Sequence, residues 1–307
     1  DLVPWLVLFA GLLVLWAIAG YDLHAEREQL MRLERERLAH QVRLAEENLA
    51  GQLRLTGRAL DGIRKDLAWF KANPQANANQ LFNARLASMA GAMQGVRSVL
   101  VIDVDGNCIA SNRPELIGQN FRNAERYRTI SQGNDPQMLY LSAPFLTPLK
   151  TWAMSAGRVV QDSQGRFNGY VLAVLDPEYF SLLMRSVLFA SDMRAAVIHW
   201  DGLVVQREPD PEQLIGQDLS QNPRSLFAQY KAASAPAAGL FEGLSGATGT
   251  ELMAMLRVVR PDGVPVDKPL VFGVSRDQDA ILAPWHSELR VRVAGLLVVS
   301  LAAVLVM

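Results

Sequence analysis

Three arginines crowd one short segment, Phe121-Arg122-Asn123-Ala124-Glu125-Arg126-Tyr127-Arg128, with aromatic residues among them. A guanidinium presents a planar fork of donors that matches a carboxylate. Taken singly, Arg122, Arg126 and Arg128 also read as surface or salt-bridging residues. Bond-breaking chemistry has no comparable cluster. Gly243-Leu244-Ser245-Gly246 lacks the spacing of a nucleophile elbow, and there is no HExxH, no phosphate loop and no prominent pair of carboxylates. The four histidines, His24, His40, His199 and His286, show no metal-ligand spacing, and the single Cys108 has no disulfide partner. No enzymatic activity and no cofactor are expected within these residues.

The strongest local pattern runs from Trp152 to Phe180. Trp152 to Val160 is rich in small and β-branched residues, Asp162-Ser163-Gln164-Gly165-Arg166 is turn chemistry, and Gly169 to Leu175 is an apolar run of strand length. Asp176 before Pro177 is a natural helix N-cap, and a helix is expected from Tyr179 to Leu188. This segment, GRVVQDSQGRFNGYVLAVLDPEYF, resembles the double Cache sensor domains of bacterial membrane receptors, which are two PAS-like modules in tandem outside the inner membrane.

The totals fit such an architecture. The chain has 307 residues and a formal net charge of −1, so no overall field draws it to nucleic acid. Leu2 to Ala19 is apolar throughout, and so is Val293 to Met307. About eighteen such residues cross a bilayer core, so two transmembrane helices are expected to flank a long soluble segment. A signal peptide at the first and a buried core helix at the second are the alternatives. Residue 1 is Asp and the last residue lies inside an apolar run, which suggests a piece of a longer protein. From Asp22 to Lys71 the composition is Leu, Ala, Glu, Arg and Gln, and a buried seam recurs at Val42, Ala45, Leu49, Leu53, Thr56, Leu60, Ile63, Leu67 and Phe70. Glu28–Arg32 and Asp61–Lys65 are expected as pairs on the wet side. The helix should end at Asn73-Pro74. Its first half is expected to meet a second copy of itself, making a homodimer that charges at Leu49 and Leu53 would weaken.

The second half of the chain echoes the first. Val101-Ile102-Asp103-Val104-Asp105-Gly106 returns as Val197-Ile198-His199-Trp200-Asp201-Gly202, Leu116-Ile117-Gly118-Gln119 as Leu214-Ile215-Gly216-Gln217, and Arg158-Val159-Val160 as Arg257-Val258-Val259. Three echoes in one order at about the same offset argue for two modules of one fold. The expected class is α+β: two tandem antiparallel-sheet modules on a long helix. The expected division is 1–20 transmembrane, 21–72 stalk, 73–188 membrane-distal module, 189–285 membrane-proximal module and 286–307 transmembrane. Ala232 to Gly249 reads as a Gly/Ala/Ser-rich loop.

The resemblance implies that the distal module holds a small ligand, with Arg126, Tyr127 and Arg128 facing Tyr140, Trp152 and Asp176 across a pocket. Such a set suits an anionic or zwitterionic molecule: arginine for a carboxylate, aromatics for a floor, Asp176 for an ammonium. Family members that bind amino acids carry an arginine followed by a Trp-Tyr pair. Here Arg126 is followed by Tyr127-Arg128-Thr129, which points away from amino-acid recognition. GRFNGYVLAVLDPEYF and SRDQDAILAPW look most like sensors attached to cyclic-di-GMP-making or -degrading enzymes, with histidine kinases and chemoreceptors as alternatives. A ligand-free dimerisation or docking module is the reading from another class. The bacterial inner membrane, with the sensor in the periplasm, is the implied location.

Overall fold

The computed structural model describes residues 3–72, 77–133, 135–147, 150–234, 237–244 and 249–306. The chain opens with one helix, α1 (Val3–Ala72), followed by α2 (Ala78–Ala92). The first sheet module comprises β1 (Val96–Ile102), β2 (Cys108–Ser111), α3 (Glu125–Gln132), β3 (Tyr140–Leu141), β4 (Phe145–Leu146), β5 (Trp152–Gln161), β6 (Phe167–Leu175) and α4 (Pro177–Val187). The second comprises β7 (Arg194–His199), β8 (Val204–Glu208), α5 (Leu226–Ala232), β9 (Ala238–Leu244), β10 (Glu251–Val259) and β11 (Leu270–Asp277), and α6 (Gln278–Val306) ends it.

The two sheets have matching strand order: β2-β1-β6-β5-β3, with β4 also on β5, and β8-β7-β11-β10-β9. All their strand pairs are antiparallel. The echoed loops repeat the same bonds. Gly118 N donates to Cys108 O and Gly216 N to Val204 O, each at 2.8 Å, and both glycines have positive φ. Asp105-Gly106 and Asp201-Gly202 are the hairpin turns, closed by Gly106 N to Asp103 O and Gly202 N to His199 O.

Each sheet turns one face to α1. Alternation along a strand sends every second side chain to that face, so Val99, Val101, Met154, Ala156, Val171 and Ala173 join a core with Val197, Met253, Phe272 and Val274. The helix contributes its predicted seam: Val42, Ala45, Leu49, Leu53, Thr56, Leu60, Ile63 and Leu67 are all buried, and Phe70 is half-buried. Each fully buried leucine or isoleucine there is worth about 1.5–3 kcal/mol of transfer free energy.

The echoed arginines clamp both sheets to the helix. Arg158 Nε donates to Gly57 O at 3.3 Å and lies 3.3 Å from Asp61, while Arg257 Nε donates to Glu46 Oε2 at 2.9 Å. Arg276 adds a bond to Glu34 at 2.8 Å and holds Asp192 at 2.9 and 3.0 Å. The second sheet therefore meets α1 around residues 34–46, and the first around 57–67.

Several expectations change. Leu49 and Leu53 are 1% and 0% exposed, inside this chain's own core, so they present nothing to a second copy. Between its apolar end and Trp69, the large apolar residues that α1 exposes are Leu33, Leu44 and Leu55, at 46%, 41% and 62%. Asp61 pairs with Arg64 and Arg158, and Glu28 with Arg27, in place of the i,i+4 partners. The stalk and the first apolar stretch are one unbroken helix, and α6 starts at Gln278, directly after β11. Within the expected loop at Ala232–Gly249, β9 pairs with β10 from Leu244↔Glu251 to Ala238↔Arg257. Its glycines and alanines hid it, but ladder bonds need only backbone. Asn73-Pro74 and Ser245-Gly246 lie outside the described residues.

At the ends, α1 and α6 each contain an 18-residue window of mean hydropathy 2.2 with none of it buried. The two helices touch: Trp16 Nε1 donates to Ser300 Oγ at 3.2 Å, Arg292 pairs with Glu26 at 2.8 Å, and Trp285 Nε1 donates to Leu23 O at 2.9 Å.

Candidate functional site

The outer face of the first sheet, turned away from α1, carries Leu100, Ile102, Cys108, Val159, Tyr170 and Leu172, with Tyr127, Ile130 and Tyr140 packed over them. The chain folds back here because the segment after β2 returns along the sheet: Phe121 N donates to Gly106 O at 2.7 Å, and α3 then crosses above the strands. Tyr127 is fixed by its hydroxyl, which donates to Val104 O at 2.6 Å.

Arg126 is the chemical centre of this niche. Its guanidinium lies 5.2 Å from the Phe121 ring centroid and 4.6 Å from that of Phe145. The aromatic faces attract the cation, but among the described residues no carboxylate pairs with it. Burial presses its pKa down from the ordinary guanidinium value. Among the described residues, six buried side-chain polar atoms have no hydrogen-bond partner, and three of them, Arg126 Nε, Tyr170 Oη and Ser155 Oγ, belong to this half of the molecule's outer face. Tyr170 and Ser155 belong to the same sheet face, and burial raises the Tyr170 hydroxyl's pKa, with Arg126 opposing. A buried donor left unmade costs about 1–3 kcal/mol, so this arrangement is complementary to an anion with further acceptor atoms. Cys108 beneath it is a core thiol whose pKa burial pushes up to about 11.

The six residues expected at a pocket divide. Arg126, Tyr127 and Tyr140 come together over the outer face. Arg128 is exposed on the far side of α3. Trp152 has the strand parity of Met154 and Ala156, so it points to the opposite face, where its indole lies against Gly216 of the second module. A Cβ on Gly216 would come within 2.1 Å of that ring. Asp176 caps α4 by accepting from Glu178 N at 3.0 Å and is paired to Arg97 at 2.8 Å. Arg97 also donates to Trp152 O at 3.2 Å. Asp176 and Arg97 border a separate cleft of about 480 Å3.

Phe121, Phe145 and Tyr170 were missed as members of the niche. Period-two alternation in GYVLAVL would have put Tyr170 on the face opposite Ala173. Phe145 depends on the short β4 pairing, Phe145↔Ala153, which carries no strong local signal.

The chain is similar to an extracellular domain assigned to a histidine kinase, rpHK1S-Z16 (TM-score 0.69, 21% identity, covering 83% of this chain and 99% of that one). It is also similar to the periplasmic sensory domain of the Campylobacter jejuni chemoreceptor Tlp1 (0.66, 13%, 83% and 99%). A third is the ligand-binding domain of the Pseudomonas aeruginosa PAO1 amino acid chemoreceptor PctB in complex with L-Gln (0.60, 16%, 84% and 97%). No protein-family model and no curated protein matches the chain. What is shared at these identities is the fold: a long first helix, two antiparallel sheets in tandem and the Cache arrangement that the β5–β6 hairpin resembles.

Proposed function

We propose that this chain is the extracytoplasmic ligand-sensing region of a receptor held in the bacterial inner membrane by the apolar ends of α1 and α6. The observation that carries this reading is the Arg126 niche: a desolvated guanidinium with no carboxylate partner among the described residues, beside the unpartnered Tyr170 hydroxyl, on a fold shared with ligand-binding sensor domains. The second sheet meets α1 nearer its apolar end, which supports reading it as the membrane-proximal module and the first sheet as the distal one. A small anionic or zwitterionic molecule completes the niche, its carboxylate on Arg126. Binding shifts the first sheet against α1, and the direct run from β11 into α6, with Trp285 bonded to α1, carries that shift towards the bilayer. The output is a cytoplasmic signalling domain, for which the likeness of GRFNGYVLAVLDPEYF favours cyclic-di-GMP synthesis or degradation. The working unit is a homodimer through the exposed stripe Leu33, Leu44 and Leu55, spaced by eleven residues and so on one side of α1.

A thermal-shift panel of small carboxylates and amino acids tests this. A ligand at a hundred times its Kd adds about 2.7 kcal/mol of stability. The shift should vanish in Arg126→Ala and persist in Arg128→Ala. A panel without a hit, with stability rising only with protein concentration, would favour a ligand-free dimerisation module.

A further inference from the structure

The outer face of the second sheet is hollow where that of the first is filled. Its cavity is about 360 Å3, low in the range of roughly 300–1,000 Å3 usual for small-molecule sites. The strand registers show why. In the first sheet Leu100 pairs with Leu172 and Ile102 with Tyr170. At the equivalent rungs of the second, Ala196 pairs with Gly273 and Ile198 with Val271. Exchanging two leucines for alanine and glycine, and a tyrosine for valine, opens the space. The segment from Leu214 to Phe227 roofs it.

The next rung supplies charge. Ser98 and Val174 in the first sheet correspond to Arg194 and Ser275 in the second, paired on neighbouring strands. Both line the cavity. The other charged lining groups are committed. Arg207 is held by Glu212 at 2.6 Å and Asp210 at 3.5 Å. Asp218 accepts from Ser220 N at 2.8 Å, Ser220 Oγ at 2.6 Å and Gln221 Nε2 at 3.0 Å. Arg194 is half-buried, and its side chain has neither a hydrogen bond nor an ion pair among the described residues.

We infer that this cavity is a second binding site, for a small monocarboxylate with a short apolar tail. The carboxylate meets Arg194 and the Ser275 hydroxyl, and the tail lies over Ala196, Ala254 and Gly273. An α-ammonium has no uncommitted acid to receive it, so the site takes the des-amino acid over the amino acid. The site is separate from the Arg126 niche and places a ligand on the sheet that leads directly into α6.

Calorimetric titration of the full chain in lipid nanodiscs tests this with three probes of similar shape: isovalerate, leucine and isoamyl alcohol. Isovalerate should bind, with leucine and the alcohol about tenfold weaker or worse. Arg194→Gln should weaken isovalerate by a similar factor, and Ala196→Leu, which restores the first sheet's leucine, should abolish binding. Gly273→Ala is the milder companion, since its Cβ would meet Leu256 at an ordinary 3.4 Å, and it should lower affinity in a chain that folds normally. In Arg126→Ala, which removes any carboxylate uptake by the first-sheet niche, the Arg194-dependent binding of isovalerate should remain. Absence of binding by isovalerate would overturn the inference, as would equal binding of the alcohol. Loss of binding in Arg126→Ala with Ala196→Leu unaffected would also overturn it, while leaving ligand sensing at the first sheet standing.

Discussion

Tyr170 carries a buried hydroxyl that no neighbour satisfies. Removing it relieves a desolvation cost, so Tyr170→Phe should leave the unliganded protein as stable or raise its stability by about 1 kcal/mol, as read by urea denaturation. A clear loss would mean that the hydroxyl has a structural partner. His199 makes a second residue-scale case. It is 1% exposed, its Nδ1 accepts from Asp201 N at 3.3 Å, and its Nε2 is unpartnered. Burial lowers its pKa, against the pull of Asp201 and with the help of Lys268. The unfolded chain, with a histidine pKa of about 6.5, binds a proton that the folded chain refuses. The unfolded state thus holds more protons between the depressed native pKa and about 6.5, and stability rises with pH across that window. Acidification from pH 7 towards 5 should lower the melting temperature, and His199→Leu should flatten that slope.

At the scale of elements, ion pairs hold the sheets to α1. Glu34 is 2% exposed and pairs with Arg276 at 2.8 Å and with Arg37 at 3.6 Å. Arg276→Ala leaves the buried Glu34 with only the exposed Arg37 and also unpairs Asp192, so it should cost about 3 kcal/mol, whereas Glu34→Leu with Arg276→Met should recover the part due to Glu34; chemical denaturation of both variants checks this. The outward stripe of the helix behaves differently. Leu44→Glu with Leu55→Glu should weaken self-association in sedimentation experiments without unfolding the chain, while Leu49→Glu should unfold it. The seam of α1 was legible because a 3.6-residue period survives in any core-facing helix. Which sheet each part of the seam faces was not, because a buried leucine carries no label for its partner. That is why Leu49 and Leu53 read as a dimer face. The β5–β6 hairpin was legible from turn chemistry and apolar runs, whereas β9 was hidden by its small residues. In the niche, Arg126 and Tyr127 were legible as an arginine-aromatic cluster. Trp152 and Asp176 were placed at the pocket by the family resemblance; strand parity turns Trp152 to the other face, and Asp176 is the helix cap that its position before Pro177 also suggested.

At the scale of the whole molecule, one α+β module is used twice along one helix, and the copies have diverged in their outer faces. The first is packed with leucine and tyrosine beneath a caged arginine; the second is hollowed by alanine and glycine beneath an uncommitted one. The inner faces stayed alike, since Arg158 and Arg257 perform the same clamp at Gly57 and Glu46. Those two anchor points are eleven residues apart, close to three full turns, so both modules share one side of the rod. A single residue inserted between them would swing the first module about 100° around the axis. Eleven inserted residues would restore its bearing but lift it about 16 Å along the rod, parting the Trp152 indole from Gly216. Spacing and bearing cannot both be kept by any added length, so the interval between the anchors admits no insertions or deletions.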